Sequence, residues 1–118
     1  MDDILLVLTN LPDRDSAHNM AHKLVESRAA ACVNILAECS SIYRWQGKIE
    51  SASEVPLLIK TTRAAYPVLE EMIRSLHPYE LPEIIAVSLA SGLPAYLQWV
   101  EQEVSPGNVP LTNVATKE

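Results

Sequence analysis

The chain has 118 residues and a mass of 13.0 kDa, one domain's worth, and its 48% apolar content is ample for a single core. A formal charge of −6 and a pI near 5.0 leave no basic field to release counterions from phosphates, which argues against nucleic acid as a partner. The opening "MDDILLVLTN" is too acidic, and its apolar run too short, for a signal peptide or a membrane span, so the expected setting is the cytoplasm with no membrane partner.

In chain order, "ILLVLTN" reads as a buried strand closed by Leu11, Pro12 and Asp13. Asp13 or Asp15 can cap a helix running to about Arg28, in which Ala17, Met20, Ala21, Leu24 and Val25 fall at the spacing of one buried face. "AAACVNILAECSSIYRWQ" has no Pro or Gly and is rich in strand formers, and "GKIESASEVPLLIKTT" answers it after Gly47, which predicts a long hairpin. From Tyr66 to Leu76, the residues Val68, Leu69, Met72, Ile73 and Leu76 return to helical spacing, with Pro67 tolerated in the first turn.

"HPYELPE", His77 to Glu83, comes next. Pro78 and Pro82 fix φ and hold His77 and Leu81 extended, so the stretch is a stiff corner that delivers Tyr79 and Glu80 to set places. It is expected to start a central strand, "EIIAVSLAS", and "PAYLQWVEQEV", with Pro94 near its start, a closing helix. Residues 105–118, "SPGNVPLTNVATKE", show little apolar patterning and are expected to be extended or disordered. The order contains βαβ twice. That predicts an α+β fold over residues 1–104, a ferredoxin-like βαββαβ sandwich with a long hairpin between its second and third strands and a C-terminal helix.

Fully extended, Ala30 to Trp45 spans about 50 Å, against a radius of gyration of about 13 Å for a compact domain of this length. The strand therefore either bends through a bulge at the polar Glu38, Cys39, Ser40 and Ser41, or reaches out and pairs with another subunit. Tyr43 and Trp45 have the same parity, so one strand face carries both rings. They are core residues or interface anchors, and in a chain with no Phe, 4 Tyr and 2 Trp their place near the hairpin tip favours the interface.

Metal ligands are few. Cys32 and Cys39 are too few for a disulfide framework, and in an unbroken strand their odd spacing points them to opposite faces, where they cannot share one ion. Cys32, between Ala31 and Val33, reads as a small buried hydrophobe, and Cys39, in the polar break, as the thiol open to oxidation. In "HNMAH", His18 and His22 stand at i and i+4 on the wet flank of the first helix, an opportunistic surface pair for a transition metal. His77 reads either as the residue that ends the second helix or as a weak metal ligand. Lys60, on the opposite strand face from Leu57 and Ile59, can meet Glu83 or Glu50 beside Tyr79 in a cleft between subunits, where a structural ion pair is the simpler reading. No nucleophile elbow, phosphate loop or paired-cysteine motif accompanies these residues, and no enzymatic activity is expected.

The segments "RAAACVNI", "SIYRWQGKIE", "LIKT", "HPYELPEIIA" and "YLQWV" resemble, in order and near spacing, the CutA family of divalent-cation tolerance proteins over roughly residues 4 to 104. The resemblance implies a homotrimer similar in architecture to the PII signalling proteins, with a role in tolerance of copper and other heavy metals. It also implies an intersubunit cleft beside the HPY stretch as the place of function. Copper-binding members resemble one another in a Cys at the end of the first strand and a second His just before HPY, where this chain has Thr9 and Leu76. His77 alone remains of that set, so a copper ion is expected to bind weakly. The alternative is a PII-like module that binds a small ligand and regulates a partner.

Overall fold

In the computed structural model, which describes residues 4–104, the first apolar run forms β1 (Ile4–Leu11), with antiparallel partners on both of its edges. The expectation for residues 105–118 lies outside the described residues. Asp13 caps α1 (Arg14–Glu26) by accepting the N–H of Ser16 at 2.8 Å, and this bond holds its carboxyl below the usual carboxylate range. Ala17, Met20, Ala21 and Leu24 are buried as their spacing predicts, but Val25 is exposed and the helix stops at Glu26, short of Arg28. The stop is a Schellman turn. Arg28 takes a left-handed φ of 66°, its N–H returns to the Val25 carbonyl and the N–H of Ala29 to that of Leu24.

The hairpin forms, but its first arm is two strands, β2 (Cys32–Ile35) and β3 (Cys39–Trp45), both paired to one long β4 (Lys48–Thr62). Ile35 opposes Leu57 and Cys39 opposes Glu54, so Leu36, Ala37 and Glu38 face only Val55 and Pro56, a bulge of one extra residue. Pro56 is the cause: it has no N–H to give the ladder, although its carbonyl still accepts from Leu36 at 3.0 Å. The break thus overlaps, at Glu38, the start of the polar stretch in which it was expected. It also resets the parity of the arm. Cys32 and Cys39 oppose Lys60 and Glu54, both even-numbered, and so share a face, contrary to the unbroken-strand expectation, yet six residues of β4 keep them about 20 Å apart. At the tip, Gln46 and Gly47 have φ of 50° and 83°, the two positive values of a type I′ turn.

After α2 (Tyr66–Leu76) come β5 (Ile85–Ser88) and α3 (Pro94–Glu103), and the sheet order is β2-β4-β1-β5 with β3 continuing along β4. This is the α+β, ferredoxin-like arrangement, in which the last strand lies beside the first. "EIIAVSLAS" consequently gives a four-residue edge strand, where a central one was expected.

The two sheet faces differ. Odd-numbered Leu5, Val7, Leu11, Leu57 and Ile59 pack under Met20 and Leu24 of α1 and Leu69 and Ile73 of α2, and this is the main core. On the other face α3 covers one end, where Val100 and Val104 meet Ile4, Ala31 and Ala65. Leu6, Leu8, Leu58, Ile85 and Val87 share the rest of that face by register, and Ile85 and Val87 remain 50% and 51% exposed. Leu76, expected in the α2 stripe, is exposed at the helix end. Among the described residues no helix is long and apolar enough to cross a membrane.

Candidate functional site

The stiff corner after α2 is clamped to the end of β1 at both its first and last residues. His77 is the C-cap of α2, with its N–H on the Ile73 carbonyl at 2.9 Å and its backbone turned out to ψ 137° ahead of Pro78. His77 is 8% exposed. Nδ1 accepts the Tyr79 N–H at 3.1 Å, which leaves the proton on Nε2 to be donated to the Asn10 carbonyl at 2.6 Å. At the other end of the corner, the Asn10 side chain donates to Glu83 at 3.1 Å. Asn10 therefore fixes the whole loop.

Tyr79 stacks on His77, ring centroids 4.7 Å apart and tilted by 50°, and its hydroxyl meets the carboxylate of Glu54 from β4. Glu54 is 9% exposed. Burial, and then hydrogen bonding and charge from Glu54, push the Tyr79 hydroxyl up to about 12, with smaller contributions from Tyr43 and Asp13. Burial pushes His77 below its ordinary value, opposed in part by the Asn10 carbonyl and the Glu54 charge. At neutral pH the site thus holds a protonated phenol and a neutral imidazole. With both ring nitrogens committed, His77 is a structural clamp with no spare lone pair for a metal. Glu54 accepts from the Tyr79 phenol, and a carboxylate can accept from more than one donor; among the described residues no group of three or more His, Cys, Asp or Glu is placed to hold a metal ion.

Of the residues singled out for a cleft, the fold brings Tyr79 and Glu83 together around Asn10 and sends the other two away. Lys60 lies on the α3 side of the sheet, its Nζ hydrogen-bonded to the Asn34 side chain and 3.8 Å from Cys32 Sγ. Glu50 is out on the hairpin opposite Tyr43, ten residues along β4 from Lys60, so within one chain the two are about 33 Å apart. Tyr43 and Trp45 do share a hairpin face, opposite Glu50 and Lys48, and both are exposed. His18 and His22 are exposed on α1, as their place on the helix flank predicts. Thr9 is buried in the core with its hydroxyl unpartnered, and Leu76 is exposed.

Glu54 and Asn10 were not legible as site residues. The available signal was a carboxylate directly entering the apolar run "VPLLI" and an amide directly leaving "ILLVLT", both places where a polar side chain meets a buried strand.

The profile of the family described as CutA1 divalent ion tolerance protein matches residues 5–103. The chain belongs to this family. It is 46% identical over 97 residues to the divalent-cation tolerance protein CutA of Thermus thermophilus, covering 82% of this chain and 94% of that one. It is 48% identical over 91 residues to protein CutA of Mus musculus, but there it spans 51% of the relative's length. The fold superposes on crystal structures of CutA from Xylella fastidiosa, with a TM-score of 0.85 at 45% identity over 87% of this chain and 99% of that one. The Thermus thermophilus divalent cation tolerance protein gives 0.85 at 44% identity over 86% and 99%.

Proposed function

We propose that this chain serves tolerance of divalent metal cations, copper among them, by binding them as a homotrimer. The observation that carries the reading is Glu54: a buried carboxylate that takes the Tyr79 phenol hydrogen bond, at the foot of an outward hairpin whose Tyr43 and Trp45 are uncovered. The half-exposed apolar face of Ile85 and Val87 and the free edge of β5 support association between copies, since a sheet edge and an apolar face gain most by being covered. The names of the Thermus thermophilus relatives support the cation role.

A second reading, a PII-like module for a small ligand, is favoured by the pairing of Glu54 with a phenol that stays protonated at neutral pH, a donor and acceptor set suited to a polar organic group. One experiment separates the two. Tag-free protein is stripped with chelator and its melting followed with Cu(II), Zn(II) or a panel of metabolites. The cation reading expects a rise in Tm with metal that chelator reverses. A metabolite that raises Tm in the presence of chelator, with no response to metal, replaces it with the second reading.

A further inference from the structure

About 20 Å along β4 from Glu54 and on the same face, Cys32 of β2 and Lys60 of β4 are direct cross-strand partners, and the Lys60 Nζ lies 3.8 Å from the Cys32 sulfur. The Asn34 side-chain oxygen accepts from the same Nζ, which holds the amine at the thiol. Tyr96 reaches over from α3, and its hydroxyl hydrogen-bonds with Cys32. β2 is an edge strand, and Cys32 is half-buried. Cys39 provides a contrast within the chain: equally half-buried, it has the Ser41 hydroxyl at 3.9 Å and opposes the carboxylate of Glu54 where Cys32 opposes an amine.

We infer that Cys32 and Lys60 form a peroxide-responsive pair, in which the oxidised sulfur of Cys32 is captured by the Lys60 amine as a sulfenamide cross-link between β2 and β4. In the first step the thiolate attacks one oxygen of hydrogen peroxide; the O–O bond breaks, sulfur is oxidised to S–OH, and the departing hydroxide takes up a proton to leave as water. Lys60 gives its ammonium proton to solvent. The free amine then attacks the sulfenyl sulfur, the S–O bond breaks, and hydroxide leaves with a nitrogen proton as a second water. This condensation involves no further oxidation. Tyr96, whose hydroxyl is held protonated by burial first and by Cys32 second, is placed to donate to the leaving oxygen. A thiol reductant reverses the link by attack on sulfur, which returns the amine. The pair thereby stops Cys32 from going on to the irreversible sulfinic acid, whereas Cys39 has no such protection.

The test uses the full chain carrying Cys39→Ser, treated with a small excess of hydrogen peroxide and read by intact mass. The expected result is a loss of about 2 Da that dithiothreitol restores, since one S–H and one N–H are removed as S–N forms. After trypsin, cleavage behind Lys60 should fail and the Cys32 peptide should be joined to the peptide containing Lys60. With Lys60→Arg added, which keeps the charge but not the nucleophilic amine, the chain should instead gain about 16 and then 32 Da and label with dimedone, and Lys60→Gln should do the same. The proposal is overturned if the chain that keeps Lys60 gains those masses and labels to the same extent, or if its oxidation yields only disulfide-linked dimers.

Discussion

His77 donates from Nε2 to the main-chain carbonyl of Asn10 across 2.6 Å, so the residue that ends α2 is tied to the end of β1, 67 positions earlier. The ring is neutral in the fold, and burial holds its pKa below the ordinary 6.5, against the opposing pull of the Asn10 carbonyl and Glu54. The sign follows. Above about 6.5 both folded and unfolded chains carry a neutral His77, and its contribution is complete. As pH falls, the unfolded chain takes up a proton that the fold refuses, and stability drops until the lowered folded value has been passed. Thermal melts between pH 8 and 4.5 should show this loss, and His77→Gln, which keeps a donor for Asn10, should flatten that part of the profile. An unchanged profile would remove the neutral clamp from the account. His77→Ala should cost about 2 to 3 kcal/mol at pH 7.5 in denaturant unfolding, through the freed partners and the lost ring.

Tyr79 should be the last tyrosine to ionise, at about 12. Because its folded value is raised, its contribution is present below the unfolded value near 10 and is lost as pH rises from there through about 12. Absorbance titration of the phenols should lose its highest step in Tyr79→Phe. The same variant, which leaves the Glu54 carboxylate buried without that donor, should be less stable by about 1 to 2 kcal/mol. A highest step that survives in Tyr79→Phe would place the buried phenol elsewhere.

Thr9 is 1% exposed and its hydroxyl has no hydrogen-bond partner. Replacing that hydroxyl by a methyl group removes an uncompensated buried polar atom and keeps the β-branched shape that suits β1. Thr9→Val should therefore raise stability, by about 1 kcal/mol in urea unfolding. A loss of that size would show that the oxygen is satisfied in solution.

Tyr43 and Trp45 lie on one face of a hairpin that also leaves Ile42 and Ile49 76% and 65% exposed. Covering such a ribbon between copies should give, in sedimentation with reductant, one species near three times 13.0 kDa. Tyr43→Ala with Trp45→Ala should weaken assembly, each truncation costing on the order of 2 to 4 kcal/mol if the ring is an interface anchor. A clean monomer of the unaltered chain at micromolar concentration would end the idea.

Copper binding should follow the free imidazoles. His18 and His22 are exposed at i and i+4 on α1 and can chelate without moving the backbone, whereas His77 would first have to give up a hydrogen bond. Calorimetric titration at pH 7.5 should find weak Cu(II) binding that falls more with His18→Ala and His22→Ala together than with His77→Ala. Tight binding abolished by His77→Ala alone would point to a site that forms when copies assemble.

Elements governed by neighbours a turn or a pleat away were legible without coordinates. Asp13 as the cap of α1, the stripe of Ala17, Met20 and Leu24, the tight turn at Gly47 and the helix opened by Pro94 all follow from rules that act within a few residues. The order of strands and helices followed from them, because few topologies satisfy such an order. Placements that depend on a distant strand were decided only on folding. The arm from Cys32 to Trp45 breaks at Leu36 because Pro56, on the opposing strand, has no hydrogen to give, and that one missing donor moves every later residue of the arm to the other parity. Lys60 meets Cys32 and Asn34, not Glu50 or Glu83, because the register of β2 on β4 places them side by side. Glu54 and Asn10 became site residues because the ends of β1 and α2 meet the middle of β4, and His77 became a clamp because both of its nitrogens found backbone partners there. Strand parity propagates only as far as its ladder is unbroken, and whether the ladder breaks depends on the strand across from it.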